Sequence, residues 1–173
     1  MSAPEHWLRG PVPGVDPRLQ PAAHAFLQVR DDVSQAVQGL TAAELAMSPG
    51  GAASIAFHLR HLAGSIDRLC TYSRGEALSE VQRAVLAREQ TADTEPDLAA
   101  LLRDLNAAID AALSQLASTP PESVLEPREV GRARLPSNVL GLLTHAAEHA
   151  QRHTGQIIAT AKIIRGLRLA ERI

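Results

Sequence analysis

The 173-residue sequence has little of several features that mark particular classes of protein. Cys70 is the single cysteine, so no intramolecular disulfide can form. The first residues lack the apolar run after a charged start that is typical of a signal peptide. No uninterrupted apolar stretch approaches the roughly 20 residues needed to cross a bilayer. We therefore expect a protein with no membrane span that works in a reducing cytoplasm.

Aromatic residues and excess charge are also scarce. Aromatics make up only 2% of the chain, so its core must consist mainly of Leu, Ile, Val and Ala, which suits closely packed helices. The formal net charge is -2, which gives no electrostatic reason to expect a nucleic-acid partner. The hydrophobic fraction of 45% is ordinary for a globular protein. The length predicts one domain over residues 1–173.

Apolar positions recur at steps of three and four in four long segments, the pattern of amphipathic helices. The predicted helices run from about Pro17 to Gly39, Ser54 to Tyr72, Pro96 to Ser118, and Ser137 to Ile164. Four helices of about 20 residues each predict an all-α fold, a four-helix bundle.

The segments around these helices are expected to be irregular or short. Residues 1–16 contain repeated Pro and Gly and predict an extended N-terminal arm, which Trp7 would dock onto the body. Thr41 and Glu44 have the spacing of a capping box and predict a short helix. Residues 76–90 predict a short peripheral helix, and no strand is predicted. The segment that ends at Pro136 is expected to be a loop.

Five of the seven histidines lie in two short windows. His58 and His61 belong to the second predicted helix, and His145, His149 and His153 belong to the fourth. Residues four apart share a helix face, so one ion can bind either the 145/149 pair or the 149/153 pair. His149 belongs to both pairs, whereas the outer two histidines are too far apart along the axis, roughly 12 Å, to share an ion.

A third ligand must then come from the second helix. His61 lies close in helical phase to the apolar residues of the second predicted helix. We therefore prefer it to His58, which is offset from it by about 60°. A single histidine is usually a surface or core residue, but two windows on separate helices among apolar neighbours favour a metal site. Three imidazoles would leave a coordination position open, as in a catalytic site.

Other polar side chains near these windows are weaker candidates. Helical phase turns Glu148 about 100° away from His149, so we expect it at the surface. Gln156 is a candidate for orienting a ligand, with helix packing through Gly155 as the alternative. Cys70 lies too far along its helix to be a ligand and is expected to be buried. Four arginines are expected to be solvated rather than to hold a substrate: Arg60, Arg128, Arg132 and Arg134.

Two segments of the chain resemble the DinB/YfiT-like superfamily. The run Ser54-Ile-Ala-Phe-His-Leu-Arg-His61-Leu-Ala-Gly-Ser65 resembles the ligand segment of that family's second helix. The run His149-Ala-Gln-Arg152-His153-Thr-Gly155-Gln156-Ile157 resembles the family signature. The resemblance extends to the Trp7-Leu-Arg-Gly arm and to the Arg128-Glu-Val-Gly-x-x-x-Leu-Pro136 loop.

This resemblance implies a four-helix bundle, often dimeric, with one divalent metal such as zinc or nickel. The family ligands correspond to His61, His149 and His153, and participation of His58 or His145 stays open. The implied activities act on a small-molecule substrate: transfer of a low-molecular-weight thiol such as bacillithiol, mycothiol or glutathione, thiol-dependent isomerisation, or hydrolysis.

Two other hypotheses stand beside a metal-dependent enzyme. One is a non-catalytic metal- or ligand-binding protein of the stress response, and the other is a structural helical dimer whose histidines bind nothing. A homodimer is expected because small residues on the third long helix would allow close contact between copies, although the same residues also fit a monomer's interior. These residues are Ala107, Ala108, Ala111 and Ala112.

Overall fold

The structure, a computed structural model, describes residues 4–91 and 94–170. Residues 1–3 of the predicted arm therefore lie outside the described residues. The α-helices are α1 (Gln20–Val37), α2 (Ala42–Ala46), α3 (Ile55–Ser73), α4 (Glu80–Arg88), α5 (Leu98–Ser118) and α6 (Val139–Ala170). A short hairpin of β1 (Pro127–Val130) and β2 (Leu135–Asn138) lies between α5 and α6.

The four long helices pack as a ring around one core. α1 contacts α6, α6 contacts α3, α3 contacts α5, and α5 closes the ring against α1. The predicted all-α four-helix bundle is therefore confirmed. Fully buried side chains from each helix fill the core, among them Phe26, Leu59, Ile109 and Leu143. Within residues 4–91 and 94–170, no helix combines the length and apolar character that would let it cross a membrane.

Side-chain caps fix where several helices begin. The Ser54 side chain accepts a hydrogen bond from the backbone N–H of Phe57 at 3.1 Å and so caps α3. Asp97 accepts from two backbone N–H groups at the start of α5. The predicted capping box of Thr41 and Glu44 is present at α2 and is confirmed.

The last helix differs from its predicted bounds at both ends. It begins at Val139 rather than at Ser137, because Asn138 accepts the backbone N–H of Gly141 at 2.6 Å. It continues past Ile164 to Ala170. Its final turns are held on the bundle by Arg168, which donates to Glu44 at 2.6 Å. Tertiary contact therefore extends the helix beyond the end of its apolar pattern.

The expectation that no strand is present was wrong. β1 and β2 pair antiparallel, with Arg128 opposite Ser137 and Val130 opposite Leu135. Strands of four residues are too short to show a clear alternation of apolar and polar residues, so the sequence gives no strand signal. Arg128 donates from Nε to the carbonyl of Ser73 at 2.8 Å and ties the hairpin to the end of α3.

The N-terminal arm is anchored differently from the prediction. Trp7 is 63% exposed, and its indole N–H donates to nearby Glu5, so it does not dock the arm on the body. The arm is instead held by polar groups of α1: Gln28 accepts the backbone N–H of His6 at 3.1 Å, and Gln20 accepts that of Val12 at 2.7 Å. Backbone groups must find partners, and glutamine side chains supply them here.

Candidate metal centre

Three histidines from two facing helices meet at the contact between α3 and α6. One ligand atom each of His61, His149 and His153 lies within 4.8 Å of the others, a grouping able to hold a metal ion. The ring centroid of His153 is 4.5 Å from that of His61 and 4.5 Å from that of His149. Of the two pairs that the spacing on α6 allowed, the structure brings the 149/153 pair to His61.

Local sequence explains why these rings face each other. His149 and His153 are one helical turn apart on α6, so both project from the same face. Ala146 and Ala150 lie next to them and are buried, and their small side chains leave room for α3. On α3, His61 precedes the fully buried Leu62 and is itself half-buried at the edge of the core.

The distances between the rings fit a transition-metal ion. The Nε2 atoms of His61 and His149 lie 2.9 Å apart. Two nitrogen ligands at about 2.0–2.1 Å from a tetrahedral zinc ion are separated by about 3.3 Å. Small side-chain rotations would therefore convert the present contacts into ligation, and the residues fit the metal.

The imidazoles of His149 and His153 are held in their neutral form. Burial, joined by repulsion from the neighbouring rings of His153 and His61, lowers the pKa of His149 to about 4. Burial, joined by repulsion from His61 and His58, likewise lowers the pKa of His153 to about 4. Both rings are uncharged at neutral pH, as a metal ligand must be.

A buried ion pair lies behind His61. Glu89, at the C-terminal end of α4, is 5% exposed, and its Oε2 is 2.9 Å from Nδ1 of His61. Its other oxygen accepts from Arg68 at 2.5 Å. Glu89 could not be singled out from the sequence, because it lies 28 residues from His61 in a segment expected to be peripheral. The side chains of α4 itself are indeed exposed or half-buried, and no local pattern singles out the residue that follows them.

The two remaining histidines of the windows occupy different environments. His58 is buried, and its Nδ1 lies 2.9 Å from Nδ1 of His153, so it adjoins the three-histidine group without belonging to it. Burial lowers the pKa of His58, and the nearby His61 contributes. His145 is exposed, and its Nδ1 lies 3.3 Å from a carboxylate oxygen of Glu148 at the surface.

The other side chains considered as candidates in the sequence lie in different environments. Glu148 is exposed and bonds Arg152 at 2.5 Å, which confirms its surface assignment. Gln156 and Gly155 are exposed, and a Cβ built on Gly155 would have no described atom within 4 Å, so the packing alternative does not hold there. Cys70 is buried as expected, and burial raises the pKa of its thiol to about 12.

An apolar groove of about 530 Å³ runs between α3 and α5 under the end of α4. Ala107 and Ala111 line it, whereas Ala112 is buried in the core. The alanines that suggested a dimer are thus divided between the interior of one chain and an open groove. Glu89 also lines the groove, so this carboxylate separates the groove from His61.

The fold and the site together define a class: helical-bundle proteins with a histidine cluster suited to a metal between two long helices. A model of the DinB superfamily matches residues 25–157, and the chain belongs to this superfamily. Among solved structures, a conserved protein from Enterococcus faecalis is similar, with a TM-score of 0.71 and 15% identity. The match covers 85% of this chain and 96% of that one, and at this identity it shows the fold alone. No significant match was found among proteins with curated descriptions.

Proposed function

We propose that this protein binds one divalent transition metal through His61, His149 and His153 and uses it in a reaction on a small molecule. One observation carries the proposal: one ligand atom each of these three side chains lies within 4.8 Å of the others, in a member of the DinB superfamily. The lowered pKa values of His149 and His153 support it, because protons do not compete for these rings at neutral pH.

The donor set favours zinc or nickel. All three donors are imidazole nitrogens, which suit borderline metals rather than calcium or magnesium. Glu89, the nearest buried carboxylate, is turned towards Nδ1 of His61 and Arg68, away from the contact between His61 and His149.

The reaction that we favour is transfer of a low-molecular-weight thiol, with hydrolysis as the variant in which water takes the place of the thiol. A metal held by these three imidazoles would supply Lewis acidity, which would lower the pKa of a thiol or water bound there. Cys70, the chain's own thiol, is buried with a pKa near 12, so a reactive thiol has to come from solution. His61, His149 and His153 would hold the metal.

Metal content tests the site directly. We expect about one zinc or nickel ion per chain by elemental analysis of untagged protein. The variants His61→Ala, His149→Ala and His153→Ala should each lose the metal. The variant His145→Ala on α6 should retain it, because His145 is exposed to solvent. A protein that stays metal-free after reconstitution, or that loses metal equally in the His145 variant, would contradict the proposal.

Activity is tested next on the metal-loaded protein. Glutathione, bacillithiol and mycothiol would each be offered with an electrophilic acceptor, and consumption of the thiol would be followed. We expect turnover with at least one thiol and its loss in His149→Ala. Turnover of simple esters without any thiol would indicate hydrolysis instead, and the absence of both would leave only metal binding.

The position of His58 favours a second candidate, a non-catalytic metal-binding protein. Its ring is buried beside His153, and a fourth imidazole ligand would close the coordination sphere, as in structural sites. The visible spectrum of the cobalt-substituted protein distinguishes the two. Added thiol should change the spectrum of an open site and leave that of a closed four-histidine site unaltered.

The homodimer remains a prediction from the family resemblance. Sedimentation at micromolar concentration should give a species of twice 18.4 kDa. A single species of 18.4 kDa would remove it.

A further inference from the structure

We propose that Glu89 is a positioning residue for His61, and that Arg68 and Gly64 exist in this arrangement to hold its carboxylate in place. This inference rests on the proposed function, since it concerns how one of the three histidines is prepared to bind the metal.

The hydrogen bond between His61 and Glu89 has a defined direction. Glu89 forms an ion pair with Arg68 and is therefore a carboxylate, which accepts hydrogen bonds and donates none. Nδ1 of His61, 2.9 Å from Oε2 of Glu89, must then carry the hydrogen. In the neutral ring this leaves Nε2 without a hydrogen, and Nε2 is the atom that faces His149 at 2.9 Å. Glu89 thus selects the tautomer in which His61 presents a lone pair to the site.

Burying the charges of Glu89 and Arg68 costs free energy of desolvation. Glu89 is 5% exposed and Arg68 is 8% exposed. A buried ion pair contributes little net stability, since desolvation offsets the attraction. A role for the pair beyond folding accounts for its presence next to a candidate ligand.

Gly64 on α3 lies next to the ion pair of Glu89 and Arg68. A Cβ at Gly64 would lie 2.5 Å from Oε1 of Glu89 and 2.6 Å from a guanidinium nitrogen of Arg68. Glycine within a helix is unfavourable relative to alanine, so its position in the middle of α3 calls for a reason. The space that it leaves is the space through which Arg68 reaches Glu89.

Glu89→Gln tests the role of the charge. Zinc affinity would be measured by competition with a chromogenic chelator, and we expect the dissociation constant to rise about 10–100-fold. Glu148→Gln is the matched control, since that carboxylate is also close to the histidines but is exposed to solvent. It should bind zinc as tightly as the unaltered protein.

Gly64→Ala tests the geometry while keeping both charges. The new methyl group displaces the ends of Glu89 and Arg68, so zinc affinity should fall while the helix gains propensity and the thermal midpoint stays the same or rises. Gly166→Ala on α6, where a Cβ would have no described atom within 4 Å, should keep full affinity. If Gly64→Ala lowers the zinc affinity without lowering the thermal midpoint, the arrangement positions His61 and does not merely stabilise the fold.

The imidazole tautomer gives a readout that needs no metal. Long-range proton–nitrogen NMR of the metal-free protein above about pH 8, where an ordinary imidazole is neutral, should show hydrogen on Nδ1 of His61. In Glu89→Gln the tautomer should shift towards hydrogen on Nε2, because an amide can also donate. If the unaltered protein has hydrogen on Nε2, the proposal is wrong.

The two proposals fail in different ways. If the unaltered protein binds no zinc, the proposed function is wrong, but the tautomer measurement still tests whether Glu89 orients His61. If the unaltered protein and Glu89→Gln bind zinc equally well, the metal site stands and the role of Glu89 is refuted.

Discussion

The Nε2 atoms of His61 and His149 lie 2.9 Å apart, although the two residues are 88 positions apart in the sequence. Two neutral imidazoles at this distance share one hydrogen, one ring donating and the other accepting. The packing of α3 against α6 therefore brings the rings together before any ion arrives. Because the site is preformed, a metal should bind the folded chain far better than the unfolded chain.

Metal binding should accordingly stabilise the fold. A ligand at 100 times its dissociation constant adds about 2.7 kcal/mol, and for a chain of this size 1 kcal/mol raises the melting midpoint by about 2–4 °C. We expect saturating zinc to raise the midpoint by about 5–10 °C in a thermal unfolding experiment. His149→Ala should melt at the same temperature with and without zinc. An equal rise in that variant would show that zinc binds elsewhere.

Cys70 should be inert in the native protein. Its thiol is 5% exposed, and burial raises its pKa to about 12, so almost none is thiolate at neutral pH. A thiol-reactive reagent should label no cysteine in buffer and one cysteine per chain in denaturant. Rapid native labelling would mean that the thiol is accessible, and it would reopen a role for Cys70 in thiol chemistry.

Two isoleucines offer a matched test of the core. Ile109 on α5 is fully buried, whereas Ile163 on α6 is 52% exposed. Ile109→Ala should lower the free energy of unfolding by about 2–5 kcal/mol, because it leaves a cavity that its neighbours cannot fill. Ile163→Ala should change it by no more than about 0.5 kcal/mol. Equal losses in urea titrations would mean that the exposed face of α6 is covered in solution.

The contact between Glu44 and Arg168 should make stability depend on pH. The hydrogen bond from Arg168 lowers the pKa of Glu44 below its ordinary value of 4.5, with the backbone N–H of Thr41 contributing. A carboxylate whose pKa is lowered in the folded state stabilises the protein above its ordinary pKa, and the gain disappears as the pH falls through the lowered value.

Glu44→Gln should therefore reduce the free energy of unfolding by about 1 kcal/mol at neutral pH. The difference from the unaltered protein should shrink as the pH is lowered below 4.5. Glu122→Gln, at an exposed position, serves as the control and should have little effect at either pH. A difference that is constant down to acid pH would show that the charge of Glu44 does not matter.

Features set by neighbours along the chain could be predicted. The four long helices follow from repeats of apolar residues, and the cap at Thr41 follows from a short motif. The hairpin between α5 and α6 could not be predicted, because strands of four residues carry too little periodicity. The anchoring of the N-terminal arm could not be predicted either, because it depends on glutamine side chains of α1 rather than on Trp7.

By itself, the sequence determined that two histidines share a face of α6 and that α3 offers another, because rise and turn along a helix are local quantities. Only the tertiary structure decided that His149 and His153, rather than His145 and His149, meet His61. It alone placed Glu89 behind His61, 28 residues away. The physical reason is that the register between packed helices depends on how whole side-chain surfaces fit, which no spacing within one helix contains.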